Sequence, residues 1–185
     1  MTPIVRVHQN EPATIYRTFD LGAQAITVPH INTKEEALSV VDSGKFAPIG
    51  NRGSFTSRQG IGVDDYLSQA NVQTILIILI EDIIAVNNLD EIREVENIDV
   101  FFVAPGDLAQ TMGYPGGAGR KEVKEVVEGA IKKISSSGRT AGTLAGTDAV
   151  GRYIDIGARF FSFSFLPWLA EGAEKFHETV KKATE

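Results

Sequence analysis

The chain has 185 residues, of which 43% are hydrophobic and 23% are charged, and we expect one soluble domain over residues 1–185. The formal net charge of -6, with lysines and arginines scattered along the chain, argues against a nucleic-acid partner. Cysteine is absent, so carboxylates and imidazoles are the available metal ligands. No apolar stretch approaches the roughly 20 residues that a membrane span needs, and the N-terminus lacks a signal-peptide core. We therefore expect a cytoplasmic protein without membrane partners.

Six apolar segments alternate with helical patterns along the chain. The predicted strands are 3–7, 25–29, 72–80, 100–104, 140–144 and 159–165, and the predicted helices are 11–21, 34–43, 87–95, 120–135, 147–156 and 166–184. Four glycines follow helical segments where a left-handed residue commonly ends a helix: Gly22, Gly44, Gly138 and Gly157. Strands that alternate with helices indicate a parallel sheet covered by helices.

Two of the apolar segments end in a carboxylate, Glu81 after TILIILI and Asp107 after DVFFVAPG. The helical pattern between them predicts a β-α-β unit, whose parallel strands bring their carboxyl ends to one edge of the sheet. Neighbouring carboxylates repel each other unless a cation lies between them, and a divalent metal is the usual solution. Alternatively, both acids lie there because helix N-termini favour negative charge. The spacing alone leaves both interpretations open.

A series of motifs, in order along the chain, resembles one enzyme family. The motifs are PIVRV, DLGAQAITVPHINTKEEA, GNRGSF, LIED, NLDEI, VFFVAPGDLAQTMGYPG and DIGARFFSFS. They are similar to the metal-dependent pyruvate aldolases, the family of 4-hydroxy-2-oxoheptanedioate aldolase and 2-keto-3-deoxyglucarate aldolase, related to macrophomate synthase. The resemblance implies an α/β fold of the (β/α)₈ TIM-barrel type that lacks about the first two β/α units. A complete barrel typically takes about 250 residues, so six units in this chain agree with that expectation.

The resemblance also implies a site and a reaction. Glu81 and Asp107 would hold a Mg²⁺, Mn²⁺ or Co²⁺ ion, and Arg6 would neutralise the enolate oxygen of pyruvate. The backbone N–H groups of Gly106 and Asp107 would bind the substrate carboxylate. The implied enzyme is a class II, divalent-metal-dependent carbon–carbon lyase that cleaves or forms 4-hydroxy-2-oxo acids through a pyruvate enolate. Its partners would be a 2-oxo acid and an aldehyde.

The sequence departs from the family pattern at the groups next to the reaction. The family's catalytic histidine lies in a segment that this chain does not contain, and Leu79 stands where the family usually has a glutamine. His30 at a predicted strand end, or His8 near Arg6, could take over proton transfer, or each could be a loop histidine that only makes hydrogen bonds. Two other functions stay open: a weakened relative that binds metal and 2-oxo acid, and a metal-dependent hydrolase.

Two further segments bear on assembly. The glycine- and serine-rich segment 46–70 is predicted to be a functional loop, in which Arg52 could contact an anion or another subunit. The run FFSFSFLPW alternates as a strand should, which predicts that Phe161, Phe163, Phe165 and Trp168 belong to the core. An open six-stranded sheet would leave its edge strands uncovered, and we therefore expect a homo-oligomer.

Overall fold

The computed structural model describes residues 1–54 and 58–184, and its centre is a curled, six-stranded parallel sheet. The strands pair in chain order: β1 (Ile4–Arg6), β2 (Ala25–Val28), β3 (Ile75–Ile80), β4 (Val100–Val103), β5 (Ala141–Leu144) and β6 (Ala158–Ser162). The helices of the described ranges are α1 (Pro12–Asp20), α2 (Lys34–Gly44), α3 (Tyr66–Gln73), α4 (Ile83–Asn87), α5 (Leu89–Ile92), α6 (Pro105–Thr111), α7 (Lys121–Ser136), α8 (Thr147–Asp155) and α9 (Leu166–Thr184). In this part of the chain, no helix combines the length and apolarity needed to cross a membrane.

The inner strands are buried on both faces, as their apolar sequences predict. Along β3, Leu76, Ile78 and Ile80 belong to the large core cluster under the helices, whereas Ile77 and Leu79 belong to a smaller cluster on the other, concave face. This alternation follows from the two-residue period of a strand. The concave cluster consists of Ala25, Ile77, Leu79, Val100 and Phe102, with Phe160 packed against it.

The sheet is open between β1 and β6, which form its two edges in the described residues. Ile4 and Val5 in β1 are 47% and 38% exposed, as expected for an uncovered edge strand. The α/β fold with parallel strands in chain order is confirmed, and these six strands form a curled half-barrel rather than a closed one.

Local capping signals explain where the helices next to the site begin. At α2, the Thr33 side chain accepts the backbone N–H of Glu36, whose carboxylate accepts the N–H of Thr33 in return, which makes a capping box. At α4, the Asp82 carboxylate accepts the N–H of Ile84. The acid that caps α4 is therefore Asp82, and the neighbouring Glu81 is left for another role.

Two predicted elements have different boundaries in the structure. The predicted strand 72–80 begins later, because α3 occupies its start and ends where Lys45 Nζ donates to the carbonyls of Asn71 and Thr74. The predicted helix 87–95 is two short helices, α4 and α5, joined at Asn88, whose side-chain amide donates to the carbonyl of Asn32. Residues 55–57 of the predicted functional loop lie outside the described residues.

Three of the four predicted helix-ending glycines have a left-handed conformation, with φ of +112° at Gly22, +79° at Gly138 and +107° at Gly157. The prediction for Gly44 is wrong, because this residue is the last of α2. A Cβ at Gly44 would lie 2.7 Å from Leu76 Cδ2, so a larger residue there would displace the Leu76 side chain, which is fully buried where α2 packs against β3.

The prediction that the aromatic run belongs to the core is largely wrong. β6 ends at Ser162, and Phe163, Phe165 and Trp168 are 54%, 64% and 57% exposed. Phe161 alone among the four aromatic residues packs against the large core cluster. Helix α9, which follows, has no buried residue in its described range. The alternation ends with the strand, so the aromatic residues after it face water.

Candidate functional site

The polar groups predicted from the sequence meet at the carboxyl edge of the sheet. Arg6 is in register with Thr27 of the neighbouring strand, and Glu81 follows Ile77 and Leu79 by the two-residue period of the concave face. All three side chains therefore point into one cavity of about 620 Å³. Its polar lining comprises Arg6, Thr27, Glu81, Gly106, Asp107 and Ser162, and its apolar walls include Ile4, Leu79, Phe102, Leu144, Phe160 and Phe161.

Glu81 is the most unusual group of this cavity, because its carboxylate is only 1% exposed. One oxygen, Oε1, accepts the backbone N–H of His30 at 2.9 Å and lies 3.2 Å from His30 Nδ1 and 3.9 Å from Arg6 Nη2. The other oxygen, Oε2, is buried without a hydrogen-bond partner. A carboxylate oxygen that is buried without a hydrogen-bond donor or a cation destabilises the folded protein.

The pKa of Glu81 is raised, chiefly because burial disfavours the charged form. The backbone N–H and the charge of His30 oppose this rise, the charge of Asp107 adds to it, and the charge of Arg6 opposes it. The two predicted carboxylates are thus close enough to repel each other. Repulsion between acids that line one cavity is the condition under which a bound cation is most favourable.

The residues present fit a hard divalent cation, because carboxylate oxygens are its usual ligands and Oε2 of Glu81 lacks any other partner. Within residues 1–54 and 58–184, no group of three or more histidine, aspartate or glutamate side chains is arranged to hold an ion. Substrate and water oxygens would therefore complete its coordination. Mg²⁺ is commonly bound in this way, through one or two carboxylates.

Asp107 differs from Glu81 in its surroundings. It lies in the first turn of α6, after Pro105 and Gly106, and its side chain is exposed. The interpretation as a helix N-terminal acid therefore describes the position of Asp107, although the same position also faces the cavity. The burial of Glu81 requires a different explanation, since Asp82 caps the helix that follows it.

Of the two candidate histidines, His30 contacts the carboxylate. Its φ of +56° is uncommon for a residue with a side chain, and this conformation accompanies the N–H bond to Glu81. The His30 side chain is 66% exposed. His8 lies instead near Glu11, whose pKa is lowered mainly by hydrogen bonds from Thr14 and also by the charge of His8.

Arg52 has neither of the roles that its loop position suggested. Its side chain is fully buried, and Nη2 lies 2.9 Å from Asp20 Oδ1, which is itself 1% exposed. The guanidinium carbon lies 4.9 Å from the ring centroid of Phe19 and 4.4 Å from that of Phe46. Arg52 therefore holds segment 46–54 against α1 through an internal ion pair.

Thr27 and Ser162, two polar residues of the concave face, were not predicted as part of the site, and neither was the apolar wall of the cavity. The two-residue alternation along each strand does indicate which residues share a face of the sheet. Thr27 can be placed beside Arg6 only once the pairing register of β1 and β2 is known. Leu79, at the position where the resembling family usually has a glutamine, makes the surroundings of Glu81 more apolar.

Comparisons with known proteins agree with the resemblance seen in the motifs. Residues 1–165 match the family model described as HpcH/HpaI aldolase/citrate lyase. The 2-keto-3-deoxy-L-rhamnonate aldolase of Salmonella gallinarum is 38% identical over 148 residues, which cover 77% of this chain and 55% of that protein. The chain thus spans about half the length of this curated relative.

Two solved structures share the fold. The HpcH/HpaI aldolase/citrate lyase family protein from Burkholderia cenocepacia J2315 superposes with a TM-score of 0.88 at 28% identity, covering 97% of this chain and 74% of that one. Macrophomate synthase superposes with a TM-score of 0.79 at 25% identity, covering 98% of this chain and 67% of that one. The chain therefore belongs to the HpcH/HpaI aldolase/citrate lyase family.

Proposed function

We propose that this chain acts as a class II pyruvate aldolase, a divalent-metal-dependent lyase that cleaves or forms 4-hydroxy-2-oxo acids through a pyruvate enolate. The observation that carries the proposal is the buried Glu81 carboxylate, whose Oε2 has no hydrogen-bond partner, in a cavity shared with Asp107 and Arg6. Membership of an aldolase and lyase family supports this reaction class. The small-molecule partners would be a 2-oxo acid and an aldehyde.

Glu81 and Asp107 would hold the metal, as Mg²⁺, Mn²⁺ or Co²⁺. A bound divalent ion polarises the carbonyl of a 2-oxo acid and so lowers the cost of removing a proton from the neighbouring carbon. Arg6 is 53% exposed in its side chain and lines the same cavity, so its guanidinium is free to approach a substrate oxygen. A fixed positive charge at that point stabilises the negative oxygen of the enolate.

The start of α6 offers a place for the substrate carboxylate. The first N–H groups of a helix have no partner within the helix, and Gly106 and Asp107 are the second and third residues of α6. A Cβ at Gly106 would meet nothing within 4 Å, so the space beside this backbone is open. We assign carboxylate binding to the backbone N–H groups of these two residues on that basis.

The test is exchange of the methyl protons of pyruvate for deuterium, followed by NMR with Mg²⁺ in D₂O. Exchange reports enolate formation without requiring the correct aldehyde. We expect exchange that depends on protein and metal, that stops on addition of EDTA, and that returns with excess Mg²⁺ or Co²⁺. Exchange at the buffer rate with each of the three ions would refute the proposed enzyme.

His30 is the proposed group that moves the methyl proton, because its Nδ1 lies 3.2 Å from the carboxylate of Glu81, which lines the cavity. Replacing it by alanine should lower the exchange rate about 100-fold, the usual contribution of a positioned acid or base. The backbone bond to Glu81 remains, so Mn²⁺ binding measured by electron paramagnetic resonance should persist. If His30→Ala exchanges as fast as the wild type, His30 is only a loop residue.

Arg6→Lys should lower the exchange rate about tenfold or more, because one ammonium does not reproduce the planar, multi-donor guanidinium. Mn²⁺ affinity should change little, since the charge is kept. Arg17→Lys, in the last turn of α1 and away from the cavity, is the matched control and should behave as the wild type. Full exchange by Arg6→Lys would exclude a role for Arg6 at the enolate oxygen.

A second candidate function is a relative that binds metal and 2-oxo acid but turns over poorly. The observation that favours it is Leu79, only 5% exposed on the concave face, because an apolar neighbour gives no hydrogen bond to a bound substrate. Such a protein would bind Mn²⁺ and be stabilised by pyruvate, yet show no exchange. Comparing Mn²⁺ binding with proton exchange therefore separates the two functions.

We also propose that the chain forms a homo-oligomer through α9. Its residues are all exposed in the described range, and they include an apolar stripe of Leu166, Leu169, Phe176 and Val180. A helix of this length gains most of its stability from packing, so we expect a second copy to cover the stripe. Leu169→Asp with Phe176→Asp should convert the oligomer to a monomer in light scattering, whereas Glu178→Lys on the opposite face should not. A wild-type monomer at micromolar concentration would contradict this expectation.

A further inference from the structure

We infer that a second, apolar cavity beside the candidate site binds the tail of the aldehyde partner, and that this tail is alkyl or aryl rather than polyhydroxylated. The inference rests on the proposed aldolase function. The cavity has a volume of about 470 Å³ and lies between the segments that follow β5 and β6. Its apolar lining is formed chiefly by Leu144, Val150, Phe161, Phe163, Pro167 and Trp168, and none of the described residues that line it is charged.

The two cavities are neighbours, because Leu144 and Phe161 line both. Leu144 is the last residue of β5, and Phe161 lies one residue before the end of β6. The apolar cavity therefore begins at the wall of the cavity that holds Glu81, Asp107 and Arg6.

The proposed reaction gives the substrate a substituent on C4 that such a cavity could bind. In the synthetic direction, the methyl carbon of pyruvate, after losing a proton, forms a bond to the aldehyde carbon, and the aldehyde oxygen takes up a proton to become the 4-hydroxyl. In cleavage, the bond between C3 and C4 breaks, the 4-hydroxyl loses its proton, and C3 gains one. In both directions the substituent on C4 needs a binding space of its own, and an apolar cavity adjoins the one that holds the carboxylates.

The lining of the second cavity favours an apolar tail, because its apolar side chains are exposed and few of its side chains can form hydrogen bonds. Leu144, Phe163 and Trp168 are 50%, 54% and 57% exposed, and the rings of Phe163 and Trp168 lie 4.6 Å apart between centroids. A tail that covers these side chains gains about fourfold in affinity for each buried methylene. The side-chain hydroxyls of the cavity come only from Thr147 and Ser164 among the described residues, so most hydroxyls of a sugar-like tail would lose their partners.

Binding can be followed without catalysis, because Trp168 is the single tryptophan of the sequence. The protein with Mg²⁺ and pyruvate is titrated with 1-hexanol, or with glycerol as the polar probe, and tryptophan fluorescence is recorded. We expect a saturable change with 1-hexanol only. Phe163→Ser should weaken 1-hexanol binding about tenfold. Phe165→Ser is the matched control, because Phe165 is 64% exposed, against 54% for Phe163, and lies outside the lining; it should bind as the wild type.

The rate of aldol addition provides the second measurement. With pyruvate as the donor, kcat/KM for hexanal should exceed that for glyceraldehyde by at least about tenfold. Phe163→Ser should lose most of this preference, and Phe165→Ser should keep it. Equal or inverted preference in a protein that exchanges pyruvate protons would overturn the inference while the proposed function stands.

Three other results would overturn the proposed function or the assignment of the cavity. Absence of pyruvate exchange refutes the proposed function, and with it the assignment of the cavity to an aldehyde, even if 1-hexanol binds. A fluorescence change that appears only in the Leu169→Asp, Phe176→Asp monomer would show that a second copy fills the cavity, which also overturns the inference. A linear, non-saturable response to 1-hexanol would show that no site is present.

Discussion

Glu81→Gln is expected to abolish metal-dependent proton exchange of pyruvate and at the same time to stabilise the metal-free protein. The exchange rate should fall to that of the buffer, because a neutral amide is a poor ligand for a divalent cation. The increase in Tm that Mg²⁺ causes in the wild type should also disappear. Glu94→Gln, at a surface glutamate whose carboxylate lies 2.9 Å from Lys34 Nζ, is the control and should retain both properties.

The stabilisation follows from the raised pKa of Glu81. Burial raises the pKa in the folded state above the unfolded value, so the folded protein binds the proton more tightly and loses stability as the pH rises through the folded pKa. Glutamine has no charge to bury, and its carbonyl can still accept the N–H of His30. At about pH 8 without metal, we expect a Tm about 2–4 °C above that of the wild type, which corresponds to about 1 kcal/mol.

The difference in Tm should shrink on acidification, because protonated Glu81 is also neutral. Calorimetry in EDTA at several pH values measures this directly. A lower Tm for Glu81→Gln than for the wild type across the whole pH range would mean that the carboxylate stabilises the fold. The charge of Glu81 would then have a structural role, and its burial would no longer support the proposed metal site.

Asp20→Asn is expected to cause the largest loss of stability among single substitutions outside the site. The change leaves the charge of Arg52 fully buried without its carboxylate partner, and breaking a buried ion pair in this way typically costs about 3–5 kcal/mol. For a chain of this size, the corresponding fall in Tm is about 10 °C. Denaturant unfolding followed by circular dichroism provides the measurement.

The double variant Asp20→Asn, Arg52→Met tests the cause. Removing the arginine as well removes the unpaired charge, while methionine can occupy the space between the rings of Phe19 and Phe46. We therefore expect the double variant to be more stable than Asp20→Asn alone. If the losses in the free energy of unfolding from the two substitutions simply add, the two side chains act independently. Glu94→Gln, which breaks an exposed pair, should leave the unfolding midpoint unchanged within error.

The sequence allowed the β-α-β unit around Glu81 and Asp107 to be predicted, because a strand buried on both faces produces a continuous apolar run with a helical pattern after it. The placement of both acids at one edge follows from parallel pairing alone. The burial of Glu81 and the unpaired Oε2 could not be predicted, because they depend on which face of the sheet is concave. The bond from His30 joins residues 51 positions apart through a left-handed backbone conformation, and no local pattern indicates it.

The wrong predictions have a common cause in tertiary contacts. The alternation in FFSFSFLPW is that of a strand, yet the burial of Phe163 depends on what lies over it, and β6 is an edge of the sheet. The pairing of Arg52 with Asp20 joins residues 32 positions apart, and no spacing rule predicts it. The prediction that Gly44 ends a helix in the left-handed conformation rests on a general preference of glycine, whereas the close contact of Gly44 with Leu76 depends on how α2 packs against β3.

The order of the strands separates two kinds of chemistry around the carboxyl edge. The charged groups Arg6, Glu81 and Asp107 come from the ends of β1, β3 and β4, whereas the second, apolar cavity is formed by the ends of β5 and β6 and the segments that follow them. On the proposed function, a change in the lining of the second cavity should alter which aldehyde is accepted without displacing the charged groups of the first. For protein engineering, this makes residues 144–150 and 163–168 the natural positions for a substitution library, with proton exchange of pyruvate as the property held constant during selection.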